Sequence, residues 1–264
     1  MKQVAVLNQF ALPRSEGGGT RHADLFGRLT GWETIVLAGN RNHYTQASFC
    51  TADTRFRLIR VPRSSRGAMS RLSGWIAYSA VALVRVVTMR RLDAVYGSSP
   101  HLLAPLAGLV AARVRHVPFV LEVRDLWPES IVAAGAMRAG SLIHRVLVAV
   151  ERFLVRSADH IVVVTAGWEE HFASLGVDPT TTVSVITNGA ETSDFAVAES
   201  RESLRDEYDI SGFTGVFAGA HGPKDGIDLI LDAAKELPGV TFLLVGDGPS
   251  KQMAVSRARR EGLS

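Results

Sequence analysis

Phe119 to Ser130 reads FVLEVRDLWPES, and the rest of the chain can be placed from it. Phe119 to Val123 is an apolar run that reads as a buried strand. The run then breaks into Glu122, Arg124, Asp125, Trp127, Pro128 and Glu129. Three carboxylates, a guanidinium and an indole are expected at or just beyond the strand's carboxyl end. Polar groups there are costly unless they meet partners or a ligand. In an open parallel α/β sheet, ligands bind outside the carboxyl ends of the strands. The bland alternative is a packed Trp-Pro corner, with Arg124 and Asp125 as a surface pair. Glu122 still belongs to the strand and reads as structural.

The flanking segments alternate strand and helix. Val4 to Asn8 reads as a short strand, followed by Gly17-Gly18-Gly19 and a helix from Thr20 to Leu29 with Ala23, Leu25, Phe26 and Leu29 apolar. Strand, glycine loop and helix form an arrangement that suits phosphate, because glycine admits close approach and the helix start offers free N–H groups. A plain flexible turn would look the same, and the spacing is not that of a dinucleotide fingerprint. Strands follow at Glu33 to Ala38, Arg55 to Val61, Asp93 to Ser99, His160 to Thr165 and Thr182 to Ile186. Helices are expected at Leu102 to Arg115, Ser141 to Arg156 and Gly167 to Leu175. This alternation predicts a doubly wound, largely parallel sheet. The Gly-Ser-Ser-Pro-His turn ending at His101 falls at a strand end and is expected to border the same cleft.

Leu72 to Met89 is apolar and nearly long enough to span a bilayer, but Arg85 interrupts it and Arg90-Arg91 close it. It can be read as a buried core helix, as an interfacial helix with Trp75 and Tyr78 at the lipid boundary, or as a membrane span. After a polar stretch, Glu191 to Gly212, a second βα pattern begins. It has strands at Gly215 to Ala218 and Thr241 to Val245, and helices at Ile227 to Leu237 and Ser250 to Gly262. Two strands and two helices leave sheet edges and an apolar face open, so this half reads as unfinished. Expected domains are 1–190, a crossing at 191–212, and 213–264.

Composition narrows the function classes. With 264 residues and 47% hydrophobic, the chain can bury one large or two smaller α/β cores. A net charge of +3 is too small to point to nucleic acid, and suits an anionic small ligand or a membrane surface. The single cysteine, Cys50, forbids an internal disulfide and fits a reducing cytoplasm. The eight histidines are scattered without metal-ligand spacing, and there is neither a D-x-D pair nor a G-x-S-x-G nucleophile elbow.

Several stretches together resemble one family. They are EGGGTRHADLF, GSSPHLLAPLAG, LEVRDLWPES, SADHIVVVTAGWEEHF, VSVITNGAETSDF, FAGAHGPKDGIDLILDAA and FLLVGDGP. In this order they resemble the family 4 retaining glycosyltransferases of the GT-B fold, in particular the branch similar to bacterial fucosamine transferases. The resemblance implies two Rossmann-like domains, an acceptor-side first and a nucleotide-sugar-binding second. It implies donor contacts from Gly18 and Gly19, Asn188-Gly189 at the hinge side, and a diphosphate loop with Gly219, His221 and Lys224. Asp125 and Glu129 are implied as acceptor or sugar contacts, with Arg124 as an anion partner. No cofactor or metal is expected. The nucleotide diphosphate sugar is substrate, and its departing diphosphate would be met by helix starts and cations.

The chain also departs from the family pattern. The wider family usually ends the organising strand in His-Asp or His-Glu, where this chain has Arg124-Asp125. An arginine donates only and stays charged. Ala220 and Asp225 stand where a diphosphate-binding Arg and Lys are common. The family's E-x7-E carboxylates, which come later, fall beyond Ser264. The implied activity is sugar transfer to a lipid-linked or polysaccharide acceptor in envelope polysaccharide synthesis, by a cytoplasmic protein peripheral to the inner membrane surface. Two other readings stand beside it: an acceptor-binding fragment or half of a split enzyme, completed by a separate chain, and a nucleotide-sugar 2-epimerase.

Overall fold

Seven strands build one parallel sheet. They are β1 (Lys2–Leu7), β2 (Trp32–Gly39), β3 (Phe56–Ile59), β4 (Ala94–Ser98), β5 (Phe119–Val123), β6 (His160–Val163) and β7 (Val183–Val185). Their order is β3-β2-β1-β4-β5-β6-β7, with every neighbouring pair parallel. The structure, a computed structural model, describes the chain apart from residues 17–18, 64–67, 178–182, 223–224 and 264. It divides into two compact units, Met1–Gly189 and Ala190–Ser264.

The helices of the first unit are α1 (Arg21–Gly27), α2 (Ala68–Val87), α3 (Leu103–Arg115), α4 (Glu129–Ala133), α5 (Leu142–Ser157) and α6 (Glu169–Ser174). Strand residues alternate between two cores, as the two-residue period requires. Ala5, Leu7, Leu37, Val95, Leu121 and Ile161 pack with Tyr78 of α2, Ala104 of α3, Leu154 of α5 and Phe172 of α6. Val4, Val6, Val36, Tyr96 and Val162 turn the other way, towards Ala23 of α1. Burial on both faces is why the strands read as continuous apolar runs. Gly97 lets α3 lie close on β4, since a Cβ there would stand 2.8 Å from Pro105 Cα and 2.9 Å from Phe119 Cε2.

Three sequence expectations change here. Tyr78 does not face a lipid boundary. It is buried and its hydroxyl donates to the Leu37 carbonyl at 2.6 Å. Ala82 and Val86 line up with it, so this face of α2 is core, and Arg85 donates back to the Leu58 carbonyl at 3.1 Å. Among the described residues no helix is long and apolar enough to cross a membrane. In α1, Leu25 and Leu29 are exposed, while Arg21, His22 and Ala23 point inward. The first turn is drawn in by a buried carboxylate rather than by an apolar stripe. The segment after Pro128, read as loop, forms the short helix α4.

The second unit holds α7 (Arg201–Glu207), β8 (Phe213–Ala218), α8 (Ile227–Glu236), β9 (Val240–Val245) and α9 (Lys251–Glu261), with β8 and β9 parallel. Ile227 and Leu231 of α8 are buried, and Arg257 of α9 holds Asp228 and Asp232 of α8 together with Glu261.

Candidate functional site

The strand order reverses at β1. The chain runs outward through β2 and β3, then returns to place β4 on the other side of β1. At such a switch point the loops from neighbouring strands part and leave a crevice at the carboxyl ends. Asn8, one residue past β1, bridges it by donating to Ser98 Oγ at 2.9 Å and to the Ser99 carbonyl at 3.1 Å.

Beneath this crevice lies a buried polar cluster centred on Glu122. Its Oε1 accepts from Arg21 Nε and the Tyr96 hydroxyl, both at 2.8 Å. Its Oε2 meets His22 Nε2 at 2.9 Å and the Ser98 hydroxyl at 2.6 Å. Glu122 therefore does not enter the loop with the other two carboxylates, and the reading of it as structural fits its position. Burial pushes its carboxyl up, but the charge and hydrogen bond of His22, the Ser98 hydroxyl and Arg21 hold it well below the usual carboxylate range. Arg21 also donates to the carbonyls of Ile186 at 2.7 Å and Thr187 at 2.8 Å, and to Asn188 Oδ1 at 3.2 Å. One guanidinium thus ties the start of α1 to the last residues of the first unit.

Above the cluster, aromatic rings line the strand ends. Trp75 stacks on His101, with centroids 4.9 Å apart, and meets Trp127 edge-on at 5.4 Å. Phe10 lies 6.0 Å from His101 and 5.5 Å from His43. Gly19 reaches the same group: a Cβ built on it would lie 3.7 Å from His43 Cε1 and 3.5 Å from the Phe10 carbonyl oxygen. Its φ of +36° is one that side chains disfavour. His101 Nε2 donates to Gln9 Oε1 at 2.9 Å, and its Nδ1 is buried without a partner among the described residues. Burial lowers the His101 pKa to about 3, and burial followed by the charge of Arg124 lowers that of His43. Both imidazoles are neutral at pH 7.

The sequence-predicted residues divide as follows. Arg124 and Asp125 stand at the end of β5. The Arg124 backbone N–H donates to Ser99 Oγ at 2.9 Å. Their side chains form no ion pair with each other, so the surface-pair reading does not hold. Neither makes a hydrogen bond or ion pair among the described residues. Glu129, on α4, turns to His144 of α5 at 3.1 Å. Asn188 is held by Arg21, and Gly189 is exposed with open space around it. Gly219 and His221 lie in the second unit, against the Gly246–Gly248 turn. The Gly219 N–H donates to the Val245 carbonyl at 3.0 Å, and the His221 N–H to that of Asp247 at 2.9 Å. Only glycine fits at 246, where a Cβ would stand 1.8 Å from Gly219 O. The His221 ring is buried, with neither nitrogen partnered among the described residues. Gly18 and Lys224 lie outside the described residues.

Sequence reasoning did not single out Arg21, His22, Tyr96, Asn8 or His43. A signal for the first two was present: Glu122 sits in an apolar run and needs buried donors, and Arg21-His22 directly follows the glycine loop.

Comparison with known proteins adds the following. The family model described as glycosyl transferase 4-like domain matches residues 20–189. Comparison with curated protein sequences gave no match. Among solved structures, the Anabaena protein Alr3699/HepE in complex with UDP and glucose is similar, with a TM-score of 0.64 and 18% identity. The match covers 100% of this chain and 67% of that one. A putative UDP-N-acetylglucosamine 2-epimerase from Listeria monocytogenes is similar at TM-score 0.58 and 13% identity, with 100% and 66% covered. Os79 from O. sativa, in complex with UDP, is similar at 0.57 and 12%, with 98% and 70% covered. The chain thus spans about two thirds of the length of these structures, and at such identities the likeness is one of fold.

Proposed function

Because this chain belongs to the family of the glycosyl transferase 4-like domain, we propose that it serves the transfer of a sugar from a nucleotide diphosphate sugar to a lipid-linked or polysaccharide acceptor, with retention of configuration. The observation that carries this reading is Arg124 and Asp125 at the β5 end, their side chains without an ion pair among the described residues, beside an aromatic wall of Trp75, Trp127 and His101. An indole face suits the apolar side of a sugar ring, and a carboxylate suits its hydroxyls. In this reading Asp125 contacts the acceptor and Arg124 holds an anionic group. Glu129 contributes once released from His144. Gly18 and Gly19 approach donor phosphate, and Asn188 and Gly189 flank it. Gly219, His221 and Lys224 of the second unit take the diphosphate without a metal. The role belongs to envelope polysaccharide synthesis, in the fucosamine-transferase branch, at the cytoplasmic membrane surface.

The test is calorimetry with UDP, GDP and their sugars on the folded chain, followed by product analysis with a lipid-linked acceptor. Micromolar binding of one nucleotide, lost on Gly19→Val, supports the reading. A folded chain that binds none of these nucleotides overturns it. Interconversion of UDP-N-acetylglucosamine epimers without transfer would favour the epimerase reading instead.

A further inference from the structure

We propose that the solvent face of α5 is a docking surface for anionic lipid. It deepens the membrane part of the function proposed above, and moves that contact from α2 to another helix. The helix carries its apolar residues on two sides. Leu154 and Val155 enter the core, while Leu142, Ile143, Val146 and Phe153 are 77%, 68%, 53% and 55% exposed. At 100° per residue, Leu142, Val146, Ala149 and Phe153 form one outward stripe, and Arg145, Arg152 and Arg156 form the stripe beside it. An open hollow of about 660 Å³ runs along this face between Gly140 and Arg156. The only acid on the helix, Glu151, points the other way, buried against His171 at 2.8 Å. Of the neighbouring acids, Glu129 is held by His144 and Asp159 by Arg113. The adjoining helix α3 adds exposed Val110 and Val114.

An exposed apolar stripe flanked by arginines without acids is the pattern of a helix lying in a lipid headgroup layer. Anionic headgroups meet the guanidinium groups while the apolar side chains enter the acyl boundary. A second copy of the chain fits less well, because a two-fold contact across this face would bring arginine against arginine. The aromatic residues of α2 are not free for the role, since Tyr78 is in the core and Trp75 is stacked on His101.

The experiment is co-sedimentation with vesicles of phosphatidylglycerol and phosphatidylcholine, against phosphatidylcholine alone. Three variants on exposed positions are compared with the unaltered chain. They are Arg145→Glu with Arg152→Glu, Ile143→Ser with Phe153→Ser, and an α2 control, Ile76→Ser with Val84→Ser. The unaltered chain is expected to sediment with the anionic vesicles only. The charge reversal should lower that partition at least about tenfold, given the contribution of each basic residue near an anionic surface. The apolar pair should lower it too, and the α2 control should leave it unchanged. If the control alone abolishes binding, or the α5 variants bind as well as the unaltered chain, the assignment to α5 is wrong while membrane association stands. Failure of the unaltered chain to bind any vesicle overturns both. A dimer that the α5 variants dissolve, without vesicle binding, would make the face a contact between copies. Nucleotide binding, measured in parallel without vesicles, reports on the transferase reading independently.

Discussion

Replacing Glu122 by Gln keeps the shape of the side chain and removes only its charge. Both carboxylate oxygens are fully used: Oε1 by Arg21 and Tyr96, Oε2 by His22 and Ser98. A glutamine must turn its NH2 towards one of these pairs. Towards Arg21 it would set donor against donor. Towards His22 and Ser98 it can be accommodated, because the Ser98 hydroxyl can accept, and so can His22 Nε2 when the ring is neutral with its proton on Nδ1, an atom without a partner among the described residues. The cost that remains is a buried Arg21 without its counter-charge. Breaking a buried pair in this way costs about 3–5 kcal/mol, against a total stability of about 5–15 kcal/mol for a domain. Arg21→Met alone takes the permanent counter-charge from a buried carboxylate that keeps His22, Tyr96 and Ser98 as partners, and should cost a similar amount. The double variant removes both charges of the pair, and Ile186 and Thr187, whose carbonyls Arg21 holds, are exposed residues within reach of water. Its loss should therefore fall short of the sum by about 2 kcal/mol or more. Urea unfolding followed by tryptophan fluorescence reads this directly. All four tryptophans, at 32, 75, 127 and 168, lie in the unit Met1–Gly189. Additivity of the two single losses within about 0.5 kcal/mol, or a nearly neutral Glu122→Gln, would refute the account.

Two further outcomes follow from the same crevice. The unfolded chain protonates His101 near 6.5, and the folded chain only near 3, so the unfolded state binds the extra proton between these values. Stability from this group is complete above pH 6.5 and declines as pH falls towards 3, by at most about 4–5 kcal/mol. The urea midpoint should therefore drop from pH 7 to pH 5, and His101→Gln should flatten that slope. Arg124→Met and Asp125→Asn, by contrast, remove groups with no partner among the described residues, and should shift the midpoint by no more than about 0.5 kcal/mol. In a transfer assay with acceptor they should lower kcat/KM tenfold or more, about 1.4 kcal/mol of transition-state contact.

Local pattern was enough for the sheet and insufficient for its polar interior. β5 has the bounds that its apolar run implies, and most other strands and helices differ from expectation by one to four residues at their ends. Such elements announce themselves by period and by turn residues. Glu122 announces only that it needs partners. Arg21 is 101 residues away in sequence and Ser98 is 24, so neither could be matched to it before the strand order was known. The same holds for α1, whose inward face looks polar because its core is a carboxylate. It holds for Tyr78 too, whose position in an apolar helix suits a lipid boundary as well as a core. His101 was legible as a strand-end residue; its stack with Trp75 was not, because that contact joins α2 to the loop after β4.

The arginine at position 124 has consequences for its neighbours. A histidine at the end of this strand, the usual residue in the wider family that the chain resembles, would carry the exchangeable proton itself. Arg124 cannot, and its fixed positive charge makes a second cation beside it unfavourable. His43 accordingly has its proton affinity lowered first by burial and then by Arg124. His101 is kept neutral by burial alone. The strand end thus holds a permanent cation with neutral imidazoles on the loops after β2 and β4. That arrangement favours an anionic group at Arg124, since no nearby imidazolium competes with the guanidinium for it. It also leaves Asp125 as the exposed carboxylate next to that cation, free of any ion pair among the described residues. At this strand end the permanent cation is therefore Arg124, with His43 lowered by burial and then by that charge and His101 by burial alone.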